Sequence, residues 1–273
     1  MRIRGVIYGA IWAAIWLPLP AGAQGARPLR AVPDCAGRVE IAKARVVRVE
    51  RNGALILSDG RAILLEGIRL PGRESGRDGD GALAGQSLAL LGELAKAAPV
   101  TFTATPPKQD RYDRVRAQAF GDGVWLQVAM LERGMARVAI SPDRNECAPD
   151  LYEAEARARR ARAGLWAMSS YAPRQAQTMA QEMKGSAGSF QLVEGWVTNV
   201  GTASGRTFID FGNDGSGNRV FSAVIQAQDR AAFRGHDLQD LVARHVRIRG
   251  VVVDVRGRPE IGLSNPAQIE ILD

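Results

Sequence analysis

Alternating apolar and polar residues predict strands in two separate parts of the chain. Residues 44–68 have the pattern of a three-stranded meander, interrupted by Asn52-Gly53 and Asp59-Gly60. Both dipeptides are typical of tight hairpin turns, because the central residues of such turns need positive φ angles. The same patterns predict further strands at 100–104, 114–120 and 135–140, and helices at 82–97, 124–134 and 151–163.

A second group of strands is predicted after residue 189. The first three strands lie at 190–200, 206–212 and 218–225, and Gly-rich turns separate them. One or two short helices are predicted within 229–243, followed by a strand at 245–255 and others near the C-terminus. This order is that of a five-stranded Greek-key barrel of the OB type. Residues 169–188, between the two groups, are small and polar and predict a linker, within which "QAQTMAQEMK" (175–184) has good helix propensity.

The N-terminal residues have the pattern of a signal peptide. Arg2 and Arg4 precede an uncharged apolar run at 6–19, and Ala21 and Ala23 offer a cleavage site before Gln24. The run is shorter than the ~20 residues that a membrane-spanning helix needs. An uncleaved anchor is the alternative interpretation, and no later stretch is apolar enough to span a membrane. We therefore expect a signal peptide at 1–23, domains at 24–168 and 189–273, and a periplasmic or secreted protein.

The only two cysteines of the chain, Cys35 and Cys147, predict a disulfide. Cysteine pairs outside the cytoplasm are usually bridged. No histidine lies near either cysteine in sequence, so the pair does not predict a metal site.

Positive charge belongs to the first half of the chain. Without 1–23 the chain has 34 basic and 29 acidic residues, whereas 186–273 has nine basic and ten acidic residues. An anionic partner would therefore be attracted to the first half. The alternative is that these arginines simply lie on solvated faces.

Three segments of the first half resemble one enzyme family. They are "GIRLP" at the end of the meander, "DRYDRVRAQAF" at 110–120 and "EAEARARRARAGLW" at 153–166. Together they resemble the staphylococcal nuclease (thermonuclease) family, over residues 36–168. The resemblance implies an OB-type barrel with about three helices. The predicted fold class is thus mainly β with α, with two small OB-type five-stranded barrels.

The resemblance also implies a chemistry, calcium-dependent hydrolysis of phosphodiesters. In that family two aspartates hold the ion, a glutamate assists the attacking water and two arginines bind the phosphate. The family's Asp-Gly-Asp-Thr turn corresponds to 51–54 here, its first arginine to Leu64 and its second metal-binding aspartate to Arg69. Its glutamate corresponds to Gly72. Arg114 is the only catalytic position that keeps the family's residue.

These replacements lead us to expect no metal site and no bound cofactor, although the family uses calcium. No catalytic residue is assigned beyond the retained Arg114. Glu74 is the best candidate for a replacement carboxylate, but the favoured interpretation is that it and the neighbouring acids solvate a loop. The expected phosphate ligands are arginines, unless neighbouring acids pair with them: Arg69, Arg73, Arg111, Arg114 and Arg116.

Three hypotheses follow for the function. The first is a catalytically inactive nuclease homologue of the cell envelope or secreted space, which binds nucleic acid or another polyanion through an Arg-rich cleft. The second is an active nuclease with a relocated site at Glu74 and Arg114. The third is a structural module that binds a protein partner through the C-terminal barrel. Trp196 and Phe208 are interpreted as core residues, with base stacking as the alternative.

Overall fold

The computed structural model describes residues 32–72, 81–110, 112–212 and 220–273. The predicted signal peptide lies outside the described residues. Within them, no helix is both long and apolar enough to cross a membrane.

The strands fall into two groups along the chain. The first group is β1 (Arg38–Ala44), β2 (Val46–Val49), β3 (Leu55–Leu57), β4 (Ala62–Leu65), β5 (Ile68–Arg69), β6 (Val100–Ala104), β7 (Val115–Gly121), β8 (Val124–Trp125) and β9 (Arg137–Val138). The second is β10 (Arg174–Gln175), β11 (Phe190–Trp196), β12 (Asn199–Ala203), β13 (Arg206–Asp210), β14 (Ser222–Ile225), β15 (His245–Val255), β16 (Arg258–Leu263) and β17 (Ile269–Ile271). The α-helices are α1 (Gly81–Lys96), α2 (Leu126–Glu132), α3 (Ala148–Arg160) and α4 (Met179–Ser186).

The first sheet has the order β1-β6-β7-β4-β3-β2, with the short β8 paired to β7. β4 and β7 are parallel, and the other neighbours are antiparallel. The two ends of this order, β1 and β2, are separated only by Arg45, so one bent strand supplies both ends. Counted as one strand, β1 and β2 make this a five-stranded, partly open barrel of the OB type, which confirms the predicted fold class.

The second sheet repeats this order. Its strands run β10-β11-β15-β16-β14-β13-β12, and β17 pairs with β15. β14 and β16 are parallel, as β4 and β7 are in the first sheet. β11 and β12 follow one another with two residues between them and occupy both sides of the order. The order predicted for this half is therefore confirmed, and the short β10 is the strand that the prediction did not include.

Three helices accompany the first sheet, as predicted. α1 agrees with the prediction to within one residue. α2 begins at Leu126 rather than 124, because Val124 and Trp125 pair with β7 as a strand. α3 begins at Ala148, three residues earlier than predicted, and Pro149 lies in its first turn, where a proline costs no hydrogen bond.

The predicted linker at 169–188 is structured rather than free of the sheets. β10 adds to the second sheet in parallel with β11, and α4 follows it. Ala176 and Met179 are fully buried in the core of the second sheet. The composition of this segment was misleading, because only single apolar residues within a polar sequence reach the core.

The two sheets share a hydrophobic cluster. Phe190 and Leu192 of β11 pack in one cluster with Leu83 of α1, and with Trp166 and Tyr171 after α3. Residues on both sides of the predicted domain boundary therefore exclude water together.

A buried polar network also joins the two sheets. Arg249 of β15 is fully buried, and its Nη2 lies 3.0 Å from Oε2 of Glu155 on α3. Arg249 also donates to the Val138 carbonyl at 2.9 Å and pairs with Glu270 of β17. Burial alone would lower the pKa of Arg249, but the neighbouring Glu155, Tyr152 and Glu270 raise it above its ordinary value. The guanidinium therefore stays charged in the interior.

The predicted disulfide between Cys35 and Cys147 is present, with Cα atoms 5.2 Å apart. The bridge links the segment before β1 to the residue before α3. The two cysteines are 112 positions apart in the sequence. The described residues contain no free cysteine.

We expect Arg249→Met to destabilise the protein by about 3 kcal/mol, because the fully buried Glu155 then keeps only the more distant Arg159 as a cationic partner. The measurement is the free energy of unfolding in urea. Arg244→Met is the matched control, since Arg244 forms an exposed pair with Asp273 on the same sheet. Similar effects of the two substitutions would contradict a special role for Arg249.

Replacing both cysteines by serine should destabilise the protein by up to about 4–5 kcal/mol, because the unfolded chain regains the entropy of a long loop. Urea unfolding of the variant and of the oxidised wild type measures this difference. Reduced wild type, which also lacks the bridge, should be about as stable as the variant. Thiol titration of the unreduced, unfolded wild-type chain should find no free thiol. Two titratable thiols would show that the bridge does not form.

Candidate functional site

The turn between β2 and β3 corresponds to the first part of the implied metal site. The Oδ1 atom of Asn52 accepts a hydrogen bond from the Ala54 amide at 2.8 Å, so that side chain closes its own turn. Gly53 has a φ of +82°, and a Cβ built there would lie 2.8 Å from Cδ1 of Leu70. The chain therefore forms a tight turn here, and Gly53 packs directly against the side chain of Leu70.

A cavity of about 30 Å³ lies beside this turn. Asn52 supplies its one polar side chain, and the rest of the lining is Gly53, Leu64, Leu65, Ile68, Leu70 and Leu91. A cavity of this size has room for about one water molecule. It does not present a charged surface.

The residues at this turn do not fit a calcium ion. Calcium takes six to eight oxygen ligands, whereas the cavity beside the turn is lined mainly by leucine and isoleucine side chains. In the described parts of the chain, no group of three or more His, Cys, Asp or Glu side chains is arranged to hold a metal ion. Glu74, the predicted replacement carboxylate, lies outside the described residues.

Leu64 and Arg114 lie at adjoining positions of the first sheet. Leu64 of β4 is opposite Arg116 of the parallel β7, and Arg114 immediately precedes β7. Strand pairing therefore brings the two implied phosphate-binding positions close together. One holds an apolar side chain and the other a guanidinium.

Arg114 is held by an aspartate of its own loop. Its Nε and Nη2 atoms donate to Oδ2 of Asp110 at 2.9 and 2.6 Å. Burial alone would raise the pKa of Asp110, but hydrogen bonds from the Arg114 side chain and from the Tyr112 and Arg114 amides lower it below its usual value. Nη1 of Arg114 makes no hydrogen bond to any residue that the structure describes. It remains able to donate to an anion.

Tyr112 forms a flat platform with this arginine. The Arg114 guanidinium lies 5.1 Å from the centroid of the Tyr112 ring, and Tyr112 is 61% exposed. We call Tyr112 and Arg114 the Tyr–Arg platform. Sequence interpretation missed Tyr112, since nothing in "DRYDRV" shows on which side the ring lies.

Arg116 is engaged by two carboxylates. It donates to both oxygens of Asp143 at 2.8 and 2.6 Å, and its Nε lies 3.8 Å from Glu66. The hydrogen bonds to Asp143 raise the pKa of Arg116 above its ordinary value. Glu66 is buried and accepts a hydrogen bond from the Ser141 hydroxyl at 2.5 Å. Arg116 and Glu66 thus hold the loop after β9 and do not form an open phosphate site.

Arg69 lies away from the expected cleft. β5 pairs with β9, which places Arg69 opposite Arg137. The Arg69 guanidinium lies 5.6 Å from the ring centroid of Phe190 on the second sheet, and Arg137 donates to the Phe190 carbonyl at 2.8 Å. Arg69 therefore lies against the second sheet, and its assignment as a phosphate ligand stays a prediction. The predicted phosphate ligands Arg73 and Arg111 lie outside the described residues.

Aromatic residues of the second sheet divide between core and surface. Phe208 is buried, as predicted. Trp196 was also interpreted as a core residue, but it is 53% exposed and stacks on His245 with 5.2 Å between ring centroids. It occupies the outward position at the end of β11, where the strand no longer faces the core.

Comparison with known proteins identifies the first unit. Residues 63–168 match the model of a protein family described as staphylococcal nuclease homologue. The chain is similar to that family over these residues, and we call this matched part of the first unit the nuclease-like domain. The match begins at Ile63 in β4, so this nuclease-like domain includes Leu64, Arg69 and Arg114 but not the turn at 51–54. No curated protein matches the chain.

We expect Asp110 to titrate below the ordinary aspartate value of about 3.9. Because its pKa is lowered on folding, Asp110 stabilises the fold above that ordinary value, and this contribution is lost as the pH falls through the lowered value. A carboxyl-carbon NMR titration measures the midpoint, and Asp110→Asn assigns the signal. Arg114→Gln should move the midpoint upward, since it removes two hydrogen bonds. A wild-type midpoint at or above the ordinary value would contradict this role.

Proposed function

We propose that this protein binds nucleic acid and does not cleave it by the calcium-dependent route of the nuclease family. One observation carries the proposal: the described part of the first sheet has a surface suited to binding nucleic acid but lacks the carboxylates that would hold a metal ion. The nuclease-like fold and the Tyr–Arg platform are present, while the turn implied for the metal and the cavity beside it present no carboxylate.

Loss of the family's cleavage follows from the chemistry. A positioned general base contributes typically about 10²- to 10⁴-fold to a rate, and a metal ion adds stabilisation of the developing phosphoryl charge. Gly72 and Arg69 provide neither a base nor an anionic ligand at the positions that the resemblance implies. A chain without both groups would keep little of the family's activity.

Binding is supported by the Tyr–Arg platform. An exposed aromatic ring stacks on any base and contributes about 1–3 kcal/mol per base. Nη1 of Arg114 can bind a phosphate oxygen while Asp110 fixes the orientation of the guanidinium. The Asp110 charge offsets that of Arg114, so stacking rather than net charge would supply much of the affinity.

We place this activity in the periplasm or outside the cell. The signal-peptide pattern at 1–23 and the disulfide support this location, since disulfides persist in oxidising compartments.

We expect a fluorescein-labelled 20-nucleotide oligo(dT) to bind the full chain in the presence of EDTA and to remain uncut with calcium, magnesium or manganese. Tyr112→Leu should weaken binding by the ~1–3 kcal/mol of one stacked base, and Arg114→Gln should weaken it as well. Fluorescence anisotropy measures binding, and denaturing gels measure cleavage. The matched control is Arg61→Gln, because Arg61 pairs with Asp59 at an exposed hairpin turn of the same sheet.

The rival hypotheses give different results in the same assay. Metal-dependent cleavage that Glu74→Gln abolishes would establish an active nuclease with a relocated site. No binding to DNA or RNA at low salt would refute nucleic-acid binding and leave a protein partner as the remaining hypothesis.

A further inference from the structure

Two hairpin tips of the second sheet form the walls of a groove. One hairpin joins β12 to β13 through Ser204-Gly205, and the other joins β15 to β16 through Arg256-Gly257. All four turn residues have positive φ angles between 50° and 79°. Two-residue turns of this kind fit the twist of the flanking strands and make short, rigid tips. The groove between them has a volume of about 490 Å³.

Three arginines line this groove, Arg206, Arg256 and Arg258. None of the three forms an ion pair within the described part of the chain. Other arginines of the same sheet do, since Arg244, Arg247 and Arg249 each pair with an acid. Residues 186–273 have nine basic and ten acidic residues. The positive groove is therefore a local concentration in a half that has no excess of positive charge.

Local contacts hold the arginines in place. The Arg206 guanidinium lies 4.9 Å from the centroid of the Phe208 ring, which orients its plane. Oδ1 of Asp254 accepts a hydrogen bond from the Gly257 amide at 2.6 Å and fixes the turn that presents Arg256. Arg258 and Glu260 lie on the same face of β16, with Arg258 exposed and Glu260 half-buried. The outer part of this face is thus cationic.

We propose that this groove binds the sugar–phosphate backbone of single-stranded nucleic acid. Planar guanidinium groups match phosphate oxygens with paired hydrogen bonds. Phe208 is buried beneath Arg206 and cannot stack on a base, so the groove contacts the backbone without regard to base sequence. The choice of nucleic acid over other polyanions rests on the function proposed for the nuclease-like domain.

The test replaces two groove arginines while keeping the turn. In the double variant Arg256→Asn, Arg258→Gln, an Asn-Gly dipeptide occupies the hairpin tip, which is a preferred pair for such turns. For single strands, the logarithm of the affinity falls by about 0.7 per phosphate contact for each tenfold rise in salt concentration, so two lost contacts cost about 25-fold at 0.1 M salt. The measured salt slope for labelled oligo(dT) should fall by about 1.4.

The matched control is the double variant Arg230→Gln, Arg234→Gln. It removes the same charge from exposed positions of the second half, outside the groove. We expect it to keep the wild-type salt slope. Equal losses from the two double variants would overturn the groove and indicate a diffuse charge effect.

The remaining outcomes separate this site from the Tyr–Arg platform. If Tyr112→Leu weakens binding and the groove variant does not, the groove is refuted while the proposed function stands. If the groove variant alone weakens binding, the groove is supported and the platform is refuted. Groove-dependent binding of heparin without binding of oligo(dT) or oligo(rU) would refute nucleic acid as the ligand.

Discussion

The buried guanidinium of Arg249 determines how the two sheets are joined. It lies on β15 of the second sheet, contacts Glu155 on α3 and the Val138 carbonyl of β9, and pairs with Glu270. A buried charge is tolerated only where its partners surround it. The network therefore favours one arrangement of α3 against β15 and makes most others costly. Tyr152 adds to it, since Arg249 lies 4.3 Å from the centroid of its ring.

This arrangement gives a physical reason for the change at Arg69. The resemblance implies a metal-binding aspartate at that position, but here the residue faces Phe190 of the second sheet. Arg137 contacts Phe190 from the opposing strand, through both its carbonyl and its ring. A carboxylate at 69 would face an aromatic ring and lose the attraction that a guanidinium has for it. The position at which the resemblance implies a metal ligand is thus also the position of a contact between the sheets.

Periodicity and turn dipeptides predicted the positions of most strands well, because alternation and Asn-Gly or Asp-Gly turns act locally. They could not predict that Ala176 and Met179 join the second core, since burial of single apolar residues depends on tertiary contacts. The pairing of Arg114 with Asp110 and of Arg116 with Asp143 was left open for the same reason. Trp196 was interpreted as a core residue because it is a large apolar residue in a mostly buried strand. It is the last residue of that strand and is exposed.

The two sheets share one strand order but differ in what surrounds their arginines. In the nuclease-like domain, Arg114 and Arg116 each have a carboxylate within hydrogen-bonding distance, so the positive net charge of that half overstates its attraction for anions. In the second half the net charge is near zero, yet Arg256 and Arg258 lie at a hairpin tip with no acidic partner among the described residues. Field strength at a surface depends on such local pairing more than on totals, because salt screens charges beyond about 10 Å. The groove proposed for the second half therefore rests on the local absence of acidic partners and not on the net charge of that half.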